Sequence, residues 1–299
     1  MARALSLCSS FARNYEAKLI FIESPKNPFY ISFGGKQFFL EKLQRGYQRL
    51  LHETIVTLEK DLLFGFDCST ISFDSVHDEC SKEWSKNVGL VLSPLKKTHL
   101  LHVSSLSRHV MRQRTREFIQ TLNYDKDGNL DFKNAIWKTD RLKQYQKSYD
   151  SFLKLLMCLI HVGSGMPARA SELATYSRID SKTTSRTLRF ELNRVFFQPF
   201  HNKTNWIQNN TKQIARFLDP ILSRIVLIDS LLIRPFMNGV YQKLNSSSAC
   251  PYLEHYFVSK GTPISADLIR KTFTSTFGKY FNTFFTISEY RHVVKYVVL

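Results

Sequence analysis

Apolar residues recur at spacings of three and four along residues 38–64, with Leu40, Leu43, Tyr47, Leu50, Leu51, Ile55 and Leu58 in phase. That period lines one side of a helix, and Lys42, Arg45 and Arg49 fall on another side. Residues 100–122 are read as a second helical run, studded with Arg108, Arg112, Arg114 and Arg116 beside His109. Residues 140–162 form a third, whose Tyr145, Tyr149, Phe152, Leu155, Leu156 and Leu159 suit a buried helix. Gly163, Gly165 and Pro167 stop it, because glycine frees the backbone and proline lacks a donor.

Beyond that break, a short helix is expected from Ala170, and residues 188–200 alternate as strands around a turn. Residues 217–236 read as a long apolar helix with Asp219-Pro220 as cap and first-turn proline. Ser265 caps an amphipathic helix over 265–281, with Ile269, Phe273, Phe277 and Phe281 every four residues. A final helix covers 288–299. Before all of these, Leu19 to Ile22 is strand-like and is followed by Pro25, Pro28 and Gly34-Gly35. Asp125 to Asn129 resembles a calcium loop, but its glycine comes too early and the closing glutamate is missing, so a turn is expected. The fold class that follows is mainly α with a small β-hairpin or three-stranded sheet (α+β). It comprises an N-terminal arm (1–37), a helical region (38–124) and a C-terminal domain (125–299).

Charge narrows the partner. Lys and Arg number 42 against 25 Asp and Glu, a net +17 over 299 residues. Such an excess attracts polyanions and releases their counterions on contact. DNA or RNA is the expected partner, with a generic basic protein, a ribosome-associated factor or a surface that meets anionic lipid as alternatives that charge does not separate; the arginines of 108–116 are a candidate DNA-backbone face or a solvated helix face. Hydrophobic residues are 43% of the chain, enough to bury real cores and to argue against wholesale disorder. Five scattered cysteines with no CxxC pair read as free thiols in a reducing compartment, and no zinc-finger spacing is present. No apolar run reaches membrane-spanning length, so no membrane partner is expected. The nucleus is the expected compartment; the mitochondrion is the alternative, from Arg3 and Arg13 in a segment free of acids before Glu16.

The chemistry-bearing segment is Gly163-Ser-Gly-Met-Pro-Ala-Arg-Ala-Ser-Glu-Leu173. A glycine-rich turn here delivers Arg169 to the start of a helix, where a guanidinium can grip phosphate with two parallel hydrogen bonds. A plain ion pair between Arg169 and Glu172 is the alternative. Lys203 lies in His201-Asn-Lys-Thr204 at the end of a strand-like stretch, and Arg291 and His292 lie in Ser288-Glu-Tyr-Arg-His292. Arg291 could instead pair with Glu289 or Glu172, and His292 could be a core histidine. Gly34-Gly35-Lys36 and Lys260-Gly261-Thr262 lack the spacing of a phosphate-wrapping P-loop, and His77-Asp-Glu-Cys80 is not a Walker-B strand. No ATP motor, cofactor or metal is expected.

These three boxes, in this order, resemble those of tyrosine recombinases and phage-type integrases. The spacing of Pro-Ala-Arg-Ala-Ser-Glu, His-x-Lys, Arg216-Phe-Leu-Asp-Pro220 and Ile-Ser-x-Tyr-Arg-His is more narrowly similar to a recombinase-like region of fungal telomere-linked RecQ-type helicases. The resemblance covers about residues 40–299. It implies that Arg169 and Arg291 clamp a phosphate and that Lys203 is the general acid. Two departures stand against activity. Ser288 replaces the family's histidine, and the nucleophilic tyrosine belongs further downstream than residue 299; Tyr296 is too close to Arg291 to swing into line. The resemblance therefore implies a truncated, non-catalytic DNA-binding fragment of a subtelomeric gene. The alternatives are a strand transferase that takes its tyrosine in trans, or an accessory module of a RecQ-type DNA helicase motor subunit.

Overall fold

The computed structural model describes residues 19–24, 27–33, 36–68, 76–78, 90–92, 106, 109–110, 113–124, 135–180, 185–191, 194–199, 214–245 and 250–298. It is mostly helical with small antiparallel sheets, an α+β architecture.

Three strands open the described chain: β1 (Leu19–Ser24), β2 (Asn27–Phe33) and β3 (Lys36–Phe39), paired antiparallel in sequence order. The first long helix, α1 (Leu40–Thr57), starts at once after β3 and runs into a π-turn at Leu58–Leu62. Two short strands follow, β4 (Val76–Asp78) and β5 (Leu90–Leu92), paired antiparallel.

The expected helix over 100–122 is not continuous. Thr115–Phe118 is a single turn (α2), and Ile119–Thr121 (β6) pairs antiparallel with Ile136–Trp137 (β7). The β-branched Ile119 and Thr121 suit the pleated strand better than a helix interior. The expected turn at 125–129 lies outside the described residues.

At the centre of the molecule is the 25-residue helix α3 (Thr139–Gly163), against which the periodic apolar side of α1 packs. Along α3, Leu142, Tyr145, Tyr149, Phe152, Leu153 and Leu156 are all buried. Fully burying a side chain of this size contributes about 1.5–3 kcal/mol, so this stripe carries much of the fold. One hydrophobic core runs from Leu50 through α3 to Val293, across both sides of residue 124.

After α3, α4 (Ala170–Ala174) is short, and β8 (Leu188–Glu191), β9 (Arg194–Phe197) and β10 (Arg216–Phe217) form a sheet in the order β10-β9-β8. Phe217 therefore belongs to a strand, and the expected apolar helix begins later, as α5 (Pro220–Ile228). Asp219 caps it by accepting from Ile221 N at 2.8 Å and Leu222 N at 3.0 Å. Nor does that helix stop at Phe236. A π-turn at Asp229–Ile233 leads into α6 (Arg234–Leu244). Pro235 falls in the first turn of the new segment, where its missing N–H is not needed. The rest is α7 (Pro251–Glu254), the hairpin β11 (Val258–Ser259) and β12 (Thr262–Pro263), α8 (Ala266–Phe281) and α9 (Ile287–Val298). Ser265 Oγ caps α8 by accepting from Leu268 N at 3.2 Å. Asn282, at φ 54°, ends the helix in the left-handed conformation.

Among the described residues no helix is long and apolar enough to cross a membrane, and no group of three or more His, Cys, Asp or Glu is placed to hold a metal ion.

Candidate functional site

The break after α3 places Arg169. Gly165, at φ 76°, reverses the chain. Buried Pro167 and Ala168 then lead into α4, with Arg169 as its N-cap residue. Glu172, on the first turn, accepts from Arg169 N at 3.2 Å. That is half of a capping box; a guanidinium has no acceptor and cannot supply the other half. The Arg169 side chain stays 44% exposed, with Nη1 3.8 Å from Glu172 Oε1. That separation is too long for a hydrogen bond. The alternative Arg169–Glu172 ion pair is thus only a loose contact along the helix, and much of the guanidinium stays exposed.

Arg291 reaches the same place from α9. Its Nε donates to Pro167 O at 2.9 Å, so the second arginine is pinned to the turn that presents the first. Its terminal nitrogens make no other hydrogen bond among the described residues. Glu289 is not its partner: that carboxylate binds Lys36 Nζ at 2.8 Å and accepts from Thr286 N at 2.7 Å. Thr286 Oγ1 accepts in turn from Glu289 N at 3.2 Å. The result is a capping box that fixes where α9 starts, and so where Arg291 points. Burial holds the Arg291 guanidinium below its ordinary range. The Glu172 carboxylate opposes that shift, and the neighbouring Arg169 and Arg216 reinforce it.

Arg216, which the sequence patterns do not single out as a ligand, completes the group. It enters from edge strand β10, is 4% exposed, and donates through Nη2 to Glu172 Oε2 at 2.8 Å and through Nε to Met166 O at 2.8 Å. Beneath the arginines, His161 on α3 is 1% exposed, packed edge-on to Phe273 and tilted against Tyr290. Neither of its nitrogens has a partner among the described residues. Burial, and then the charges of Arg291 and Arg216, push its imidazole down to about 3, so it is neutral. Tyr176 stacks on Phe197 at 4.5 Å within the field of Arg216, yet its hydroxyl forms no hydrogen bond of acceptable geometry.

Three guanidinium groups therefore surround one carboxylate at the junction of α3, α4, β10 and α9. The arrangement has donors for the oxygens of a tetrahedral anion. The structure brings Arg169 and Arg291 together. Lys203 lies outside the described residues. His292 is exposed, which removes the core-histidine alternative.

The arginine run expected to face DNA is only partly described. Arg108 and Arg112 lie outside the described residues. Arg114 is tied to Glu117 at 2.6 Å and Arg116 is exposed. His109 turns inward, with Nε2 3.4 Å from Phe64 O and its ring edge-on to Phe66.

No protein-family model matches the chain, and no solved structure matches it.

Proposed function

We propose that the chain binds double-stranded DNA through its phosphate backbone and cleaves none, as a non-catalytic relative of the tyrosine recombinases. One observation carries this reading: Arg169 and Arg291, far apart in the sequence, meet on one turn through the Arg291–Pro167 bond. A net charge of +17 supports a polyanionic partner. The two guanidiniums grip non-bridging phosphate oxygens, and Arg114, Arg116 and His292 add contacts along the backbone. Strand cleavage needs an accessible phenol. Tyr176 and Tyr290, which lie against this cluster, are both buried, and burial pushes their hydroxyls up, away from the phenolate that attacks. The nucleus is the compartment in which such a protein meets its ligand.

The test is DNA affinity over a range of salt concentrations for wild type, Arg169→Ala and Arg291→Ala. Each phosphate that a variant no longer neutralises lowers the slope of log K against log salt by about 0.9. Unchanged slopes in both variants would overturn the reading. A nicked suicide substrate adds the catalytic arm: no covalent adduct is expected from the chain alone, and a trapped adduct would make it a strand transferase.

A further inference from the structure

The charge of the arginine cluster exceeds what an internal DNA phosphate requires. Around Arg291 stand two further guanidiniums and one carboxylate, which leaves two uncompensated positive charges. An internal phosphodiester carries one negative charge, whereas a terminal phosphate monoester carries up to two. The donors also outnumber the acceptors on hand. Arg216 uses Nε and Nη2 on Met166 O and Glu172 Oε2, and its Nη1 is buried without a partner among the described residues. Leaving such a donor dry is costly, and buried polar groups of this kind are as a rule bonded. Tyr176 does not relieve it, since its hydroxyl lies beside Arg216 in no acceptable hydrogen-bond geometry, and His161 below adds two more unpartnered nitrogens among the described residues. Arg291 keeps its two terminal nitrogens for a ligand, and Arg169 a largely exposed guanidinium.

We infer that this cluster is a receptor for a phosphorylated DNA end, with Arg216 as a third, buried donor to a dianionic phosphate monoester whose other oxygens Arg169 and Arg291 hold. The inference rests on the DNA-phosphate reading above and sharpens it: the ligand is a terminus rather than a point along the duplex.

The experiment compares blunt duplexes of one sequence ending in hydroxyl, 5′-phosphate or 3′-phosphate, with a closed circle as the end-free competitor, at fixed ionic strength. At pH 8 the 299-residue chain binds one of the phosphorylated duplexes about tenfold tighter than the hydroxyl duplex, the yield of one added charge-assisted hydrogen bond. At pH 5 the monoester keeps one proton and a single negative charge, because its second ionisation lies near about 6, and the preference disappears. Arg216→Gln abolishes the preference: the ratio of affinities for phosphorylated and hydroxyl duplexes falls to one, whatever the variant does to the affinity for both. Should that variant unfold, the paired change Arg216→Gln with Glu172→Gln removes the donor without stranding a carboxylate and leaves the two uncompensated charges in place, so the same loss there assigns the preference to the Arg216 donor itself. Inorganic phosphate gives a readout independent of variants, raising the wild-type thermal midpoint more at pH 8 than at pH 5. Equal affinity for all ends, with DNA binding intact, overturns the inference and leaves the DNA reading standing. Binding to no DNA overturns both, and a preference that survives loss of Arg216 removes its role.

Discussion

Arg216 and Glu172, 44 positions apart, face each other with Nη2 2.8 Å from Oε2, and both side chains are almost wholly buried. Glu172 is shared three ways: its Oε2 also accepts from the Arg169 backbone, and its Oε1 faces the Arg169 guanidinium. One carboxylate thus couples the start of α4, the edge strand β10 and the field around Arg291. Breaking a buried pair strands the surviving charge and costs about 3–5 kcal/mol, more than the pair itself contributes relative to apolar residues. Glu172→Ala is therefore expected to lower the unfolding free energy from urea titration by an amount in that range, and Glu172→Leu with Arg216→Met to recover most of it. A Glu172→Ala protein as stable as wild type would mean that water reaches the pair.

His161 gives a pH dependence with a definite sign. Folded, its imidazole titrates near about 3; unfolded, near 6.5. Between those values the unfolded chain holds a proton that the folded chain refuses, so this group makes stability fall as pH falls from 6.5 towards 3. The slope from a single group approaches about 1.4 kcal/mol per pH unit. Measured by urea unfolding from pH 7 to pH 4.5, the unfolding free energy of wild type relative to that of His161→Leu should fall on acidification. Two parallel curves would show that His161 takes up its proton inside the folded protein.

Local pattern made much of this fold legible. The spacings of α1, α3 and α8 announced helices because each buries one stripe against the core, and Asp219-Pro220 and Ser265 marked helix starts through cap chemistry. What escaped was set by tertiary partners. The π-turn at Asp229–Ile233 has no sequence period of its own, so nothing local shows the helix resetting there and running on past Phe236 to Leu244. Arg169 and Arg291 stood out through their neighbours in sequence. Arg216 opens the Arg-Phe-Leu-Asp-Pro box without a role being legible there, since that role depends on a β10–β9 pairing that carries it to Glu172. An arginine one strand residue before the exposed Phe217 has no local signal of being buried.

The same π-turn encloses a second buried ion pair, with Arg234 Nε 2.8 Å from Asp229 Oδ2 and neither side chain exposed. Tyr149 Oη donates to Asp229 Oδ1 at 2.7 Å, and Arg234 Nη1 donates to the carbonyls of Tyr252 at 2.7 Å and His255 at 2.9 Å. Arg178 ties Leu253 O to Ser230 O from the other side. The planar fork of Arg234 thus fastens the segment around α7 to the turn, and lysine cannot copy it. Losses should be graded. Tyr149→Phe removes one hydrogen bond to a charged group and costs about 1.5–3 kcal/mol. Arg234→Met strands Asp229 and costs about 3–5 kcal/mol. Arg234→Lys should also speed amide exchange at Tyr256, whose N–H donates to Tyr176 O at 2.7 Å. Exchange unchanged in Arg234→Lys would mean that backbone bonds alone hold this segment.

Close approach between α1 and α8 depends on Gly46. A Cβ built there would fall onto the Phe281 ring, with Cε1 and Cγ both at 2.9 Å, inside any real carbon–carbon contact. Phe281 cannot easily yield, because its ring stacks on Phe277 at 4.2 Å and both are buried. In a solvent-exposed helix, Gly→Ala stabilises by about 1 kcal/mol through backbone entropy and propensity. Here overpacking opposes it at about 1–3 kcal/mol, so the net sign reverses or vanishes. Gly46→Ala is expected to lower the thermal midpoint, and adding Phe281→Leu should return part of the loss by making room for the methyl group. A Gly46→Ala protein stabilised by its full helical propensity would show that the two helices separate freely at this crossing.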